Sequence, residues 1–95
     1  MNMQEFYNKY KLNKDYFSRM AHVGSKSLVK YSEGKPLRED TKARIEKAIR
    51  VVEKYNLVYP RFEGPHFDMW RTSEHFRKVQ EYIKNFETLL QKEES

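Results

Sequence analysis

The chain has 95 residues, of which 38% are hydrophobic and 35% charged, and it carries a formal net charge of +5; that length suits one small domain, which buries about two-thirds of its surface on folding. It contains no cysteine, which excludes disulfides and thiolate zinc sites and permits a reducing compartment. No apolar run approaches the ~20 residues that a bilayer crossing needs, and the start, MNMQEFYNKYKLN, lacks the apolar core of a signal peptide, so a soluble cytoplasmic protein without a membrane partner is expected.

The charge is unevenly placed. Between Lys11 and Arg61 there are 13 Lys and Arg against 6 Asp and Glu, whereas from Phe62 to Ser95 there are 5 against 7. The excess positive charge therefore lies on the first two-thirds of the chain, a distribution that favours an acidic partner such as nucleic acid.

The elements follow in order. Met3 to Tyr10 reads as a helix with Phe6, Tyr7 and Tyr10 on one side. Next, Phe17, Met20 and Ala21 fall at i, i+3 and i+4, the apolar stripe of a helix that Asn13 or Asp15 can cap. The pattern breaks at His22, Val23 supplies one apolar residue inside a turn, and Gly24 and Ser25 supply freedom and a capping oxygen for a new helix over about 25–32. In that helix Leu28 and Tyr31 point inward, leaving Ser25, Lys26, Val29 and Lys30 outward, and Glu33-Gly34-Lys35-Pro36 ends it. From Glu39 to Tyr55 the stripe Ile45, Ala48, Ile49, Val52 predicts a core helix, with Glu39 and Asp40 at its positive end. The segment NLVYPRFEGPHFDMWR, residues 56–71, is irregular but too aromatic for a free linker; Phe62, Phe67, Met69 and Trp70 predict an ordered loop packed on the core. Thr72 or Ser73 then caps a last helix to about Gln91, in which Phe76, Val79, Ile83, Phe86 and Leu90 form a 3-4 seam. The fold expected is all-α, about five helices, with residues 1–60 as the core module and 61–95 as aromatic loop and C-terminal dimerisation or packing helix.

Two short helices, one tight turn and an outward face of Ser and Lys make a helix-turn-helix, in which the second helix enters the major groove. The residues that compose it resemble a family. Ala21-His22-Val23 is similar to the Ala-Gly-Val turn of lactose-repressor-type headpieces, Ser27-Leu28 to their Thr-Val or Ser-Ile, Lys30 to their Arg, and Glu33-Gly34-Lys35-Pro36-Leu37 to their Asn-Gly-Lys-Pro-Val. Beyond the motif, Glu39-Asp40-Thr41-Lys42, Arg44-Ile45, Ala48-Ile49 and Tyr59-Pro60 are similar to that family's next helix and its closing Tyr-x-Pro. The resemblance covers roughly residues 16–60 and extends to the broader lambda-repressor-like superfamily. His22 departs from it in the turn, Ser18 where Ala is usual, Val29 where Ser is common, and Arg38 where a Ser cap stands.

The reading implies a sequence-specific transcriptional regulator, a repressor of phage or plasmid type, with double-stranded DNA as partner. Ser25, Lys26 and Lys30 are the expected base contacts; Gly24, Ser27, Lys35, Arg38 and Lys42 are the expected phosphate contacts. One recognition helix spans few base pairs, so a homodimer is expected, joined along Phe76, Val79, Ile83, Phe86 and Leu90; the same seam suits internal packing. The alternative is a protein-interaction module, such as an antitoxin or phage accessory protein. His22, His66 and His75 lack metal-ligand spacing, Gly24, Gly34 and Gly64 lie too far apart for a phosphate loop, and His22 near Ser25 and Ser27 in a turn has no third orienting group, so no metal, cofactor or enzymatic activity is expected; without the family's effector-binding domain, no small-molecule effector is expected either.

Overall fold

The computed structural model describes residues 3–60 and 73–94, and every regular element among them is an α-helix. They run α1 (Met3–Tyr10), α2 (Lys14–Ala21), α3 (Ser25–Glu33), α4 (Glu39–Tyr55) and α5 (Ser73–Glu94). The expected all-α fold of about five helices is what the described residues adopt. The aromatic loop and Thr72 lie outside the described residues; Ser73 is the first residue of α5.

Short connections make this bundle possible, and four helices end in the same way. The residue after each of α1 to α4 is left-handed: Lys11 at φ 56°, His22 at φ 57°, Gly34 at φ 75° and Asn56 at φ 52°. The next N–H then turns back to a carbonyl five residues earlier, Leu12 to Tyr7 at 2.9 Å, Val23 to Ser18 at 3.1 Å, Lys35 to Lys30 at 2.9 Å and Leu57 to Val52 at 3.0 Å. This 6→1 closure satisfies a carbonyl that the helix end would otherwise leave unpaired. Leu12 and Leu57 are buried and Val23 packs against the core. Three of the four reversals thereby send an apolar residue inward as they start a new direction; after α3 the corresponding residue is the exposed Lys35.

The core is centred on Phe17, which is inaccessible to solvent. Phe6 meets its ring edge-on at 5.2 Å and Tyr7 lies tilted to it at 6.1 Å, so α1 covers this side of α2. On α4, Ile45, Ala48, Ile49 and Val52 are buried as their spacing predicts, and Val51 is inaccessible too. The buried strip is wider than the sequence stripe because α5 also packs along α4.

A cluster of tyrosines locks the ends of the chain together. The Tyr59 N–H donates to the Tyr10 carbonyl at 2.8 Å. Its ring stacks on Tyr16 at 4.6 Å and meets Tyr82 edge-on at 5.1 Å. Tyr82 Oη donates to the Leu57 carbonyl at 2.8 Å; burial raises its pKa well above the ordinary phenol value, with Tyr59 adding to the shift. Near the end of α5, Lys54 Nζ pairs with Glu93 Oε1 at 2.7 Å; their hydrogen bond raises the lysine pKa and lowers that of the carboxyl.

The proposed dimer seam is divided by this packing. Phe86 is inaccessible and belongs to the chain's own core, Val79 and Leu90 pack against that core, Ile83 is half-buried, and Phe76 is 62% exposed. The five residues therefore do not form a free apolar stripe: α5 turns Val79, Tyr82, Phe86, Leu89 and Leu90 onto its own bundle.

Two outcomes follow from these contacts. His22→Gly should leave stability nearly unchanged, whereas His22→Val should cost about 1 kcal/mol or more because a β-branched residue resists the left-handed region; urea midpoints of the two variants check this. Phe86→Ala should cost about 3–5 kcal/mol, the usual value for an emptied aromatic site, and thermal melts that shift by only a degree or two would place Phe86 outside the core.

Candidate nucleic-acid interface

α2 and α3 are joined by three residues, His22, Val23 and Gly24. Asn13 caps α2, its Oδ1 accepting the Tyr16 N–H at 2.8 Å. Buried Ser18 keeps its hydroxyl satisfied by donating to the Asp15 carbonyl at 2.9 Å. The turn then depends on His22, whose left-handed conformation reverses the chain and drops Val23 onto the core. Gly24 is the N-cap of α3 with extended backbone, φ −74° and ψ 151°, and no side chain caps the helix. Ser25 is thus the first helical residue rather than the cap expected from its hydroxyl. Nothing lies within 4 Å of the place a Gly24 Cβ would occupy, so the approach to the first amides of α3 is open.

Nine residues at 100° per residue divide α3 cleanly. Leu28 is 1% exposed and Tyr31 packs against the core. Opposite them stand Lys26, Val29 and Lys30, all exposed, flanked by half-buried Ser25 and Ser27. The predicted base contacts Ser25, Lys26 and Lys30 are therefore brought onto one side of one helix. Among the described residues neither lysine has an ion-pair partner. Beside them Val29, 39% exposed, offers an apolar group that can meet a thymine methyl.

The predicted phosphate contacts are less uniform. Gly24 and Ser27 sit at the open start of α3, and Lys42 is exposed in the first turn of α4 without an ion pair among the described residues. Lys35 instead holds Glu33 at 2.7 Å, a bond that raises the lysine pKa. Arg38, the N-cap of α4, lies 3.8 Å from Asp40. Both cations are already partnered by local carboxylates, which a phosphate has to displace. Glu33 also occupies the outward side of α3, one turn beyond Val29 and Lys30.

Two further side chains join this surface. A cleft of about 200 Å³ between α1, the start of α2 and α3 is lined by Gln4, Lys14 and Val29, among others. Neither Gln4 nor Lys14 is conspicuous in the sequence, because what brings them beside α3 is the packing of α1, which no local pattern encodes. Among the described residues no group of three His, Cys, Asp or Glu could hold a metal ion, and no helix is long and apolar enough to cross a membrane.

Glu33→Gln should tighten binding to any DNA duplex several-fold, by releasing Lys35 and removing a negative charge from the outward side of α3; fluorescence anisotropy on a random duplex at fixed salt measures it. Gly24→Ser should keep or slightly raise the melting temperature, since a serine cap suits the extended N-cap backbone, while weakening that binding by placing a side chain over the first amides.

Comparison with protein-family models, with curated proteins and with solved structures returns no match to this chain.

Proposed function

We propose that this chain is a small sequence-specific DNA-binding regulator of transcription, a repressor of phage or plasmid type that acts in the cytoplasm. One observation carries the reading: α3 buries little more than Leu28 and Tyr31, and turns Lys26, Val29 and Lys30 outward from a bundle that does not need them for its own packing. A helix held this way fits the major groove, where Lys can donate to guanine and an apolar side chain can meet thymine. The lambda-repressor-like resemblance of residues 16–60 points the same way.

In this reading Lys26 and Lys30 read base edges with Ser25 beside them. The amides after Gly24, the Ser27 hydroxyl and the Lys42 ammonium hold phosphates on either side, and Lys35 and Arg38 join them when phosphate replaces Glu33 and Asp40. A single α3 spans too few base pairs to single out one site. Two copies therefore occupy a two-fold symmetric operator, with half-sites about 34 Å apart or a multiple of it. Since Phe86 is committed to the core, their contact does not run along the whole 76–90 seam.

Selection of bound sequences from a random duplex pool tests the reading and returns the operator. The expected result is one enriched palindrome, whose affinity falls steeply with salt because several phosphates are contacted. Lys26→Ala should then cost about 1–3 kcal/mol on the operator and relax preference at one base pair, whereas Lys42→Ala should weaken operator and random duplex by the same factor. A pool that yields no enriched sequence, or salt-independent binding, rules out the DNA reading.

A further inference from the structure

The side of α3 that faces away from the bundle carries a narrow set of chemical groups. Lys26 and Lys30 are four residues apart, so they lie about 40° from one another around the helix and about 6 Å along it. Val29 stands about 60° to the other side of Lys26. It is 39% exposed, and as a β-branched residue in a helix it has one strongly preferred rotamer, which fixes where its methyl groups point. Ser25 and Ser27 are half-buried at the edges. From Ser25 to Lys30 there is no carboxylate and no carboxamide; Glu33, farther along, is bonded to Lys35 at 2.7 Å.

We propose that this set of groups fixes which bases the chain reads in each half-site: two guanines two base-pair steps apart, on either strand, with a thymine on the Val29 side. The assignment rests on the proposed DNA-binding function and supplies the base chemistry of that same surface. An ammonium only donates, and guanine alone presents two acceptors and no donor, O6 and N7, on its major-groove edge. Adenine and cytosine present amino groups there, which need an acceptor that residues 25–30 supply only as serine hydroxyls. The ~6 Å between the lysines along the helix matches two base-pair steps of about 3.4 Å. Val29 has no hydrogen-bonding group in its side chain, so what it recognises is the one apolar group on a major-groove edge, the thymine C5 methyl. Its fixed rotamer makes it the specificity-determining residue of the three, whereas the flexible lysine stems accept a guanine on either strand.

The test uses the full chain and the duplex enriched by selection from a random pool, with affinity read by anisotropy. Guanines are replaced one at a time by 7-deazaguanine, which lacks N7, or by 6-thioguanine, whose sulfur accepts weakly in place of O6. Binding should weaken about fivefold or more at two positions two steps apart in each half-site. In Lys26→Ala one of these two sensitivities should vanish, and in Lys30→Ala the other. Replacing thymine by uracil should weaken binding about fourfold at one position of each half-site, the value of one buried methyl group, and Val29→Ala should abolish that difference. All three residues are exposed, so the variants should keep the parent melting temperature. Affinity that ignores both analogues at every guanine, sensitive guanines at another spacing, or a uracil penalty that is absent or persists in Val29→Ala would each overturn the base assignment while DNA binding stands. A pool that yields no enriched sequence would overturn both.

Discussion

The bundle depends on reversing direction within very few residues and hiding an apolar side chain as it does so. Only three residues separate α1 from α2 and α2 from α3, and five separate α3 from α4. Loops that short cannot wander to find partners for their backbone groups. The left-handed residue with its 6→1 hydrogen bond solves this, because one dihedral change both turns the chain and satisfies a carbonyl. Three of the four positions are Lys11, His22 and Asn56 rather than glycine, so the chain accepts local strain there. What offsets it is burial of the next residue, most completely at Leu12, which is 3% exposed. The conformational strain and the hydrophobic anchor thus sit side by side, and each makes sense of the other.

The direction of α3 is one consequence. His22 sets where the helix begins, Val23 pins the turn, and Leu28 with Tyr31 sets its rotation about its own axis. Those few contacts leave the lysines where solvent, or a duplex, can reach them. The net charge of +5 alone would not distinguish this surface, since acids are interspersed throughout. Local pairing makes the distinction: Lys35 and Arg38 have Glu33 and Asp40 beside them, whereas Lys26, Lys30 and Lys42 have no such partner among the described residues. Exposed ion pairs are weak, on the order of 1 kcal/mol or less. Phosphate can therefore displace those two carboxylates, at the expense of part of its own attraction.

Most of the helical plan was legible from spacing. The stripes 17/20/21 and 45/48/49/52 predicted the inward sides of α2 and α4, and the break at His22 located the turn. Residues on α3 sorted correctly into Leu28 and Tyr31 against Lys26, Val29 and Lys30, because a short helix has only one way to bury its apolar residues. Other features were not legible, for physical reasons. An apolar 3-4 repeat in α5 looks the same whether it meets a second copy or its own bundle, and the reach of Phe86 into the core and of Tyr82 to the Leu57 carbonyl depends on how α5 lies along α4. Ion pairs such as Lys54 with Glu93 join residues 39 apart and exist only once α5 has crossed α4. Serine chemistry at 25 suggested a cap, yet the backbone places Gly24 there, since capping depends on where the helix starts and not on which hydroxyl is nearby.

The division of labour inside α3 has a consequence for how such a surface can change. Nine residues are too few to be stable as an isolated helix, so α3 owes its structure to the burial of Leu28 and Tyr31 and to its closed C-terminal end at Gly34. Leu28 and Tyr31 both turn away from the outward side. Substitutions at 26, 29 and 30 consequently fall within the small range typical of exposed sites, about ±0.5 kcal/mol of stability, while each alters what a base pair would meet. The residues that hold the helix and those proposed to read with it are different residues. A chain built this way can be given a new binding preference by changing side chains that its fold does not use.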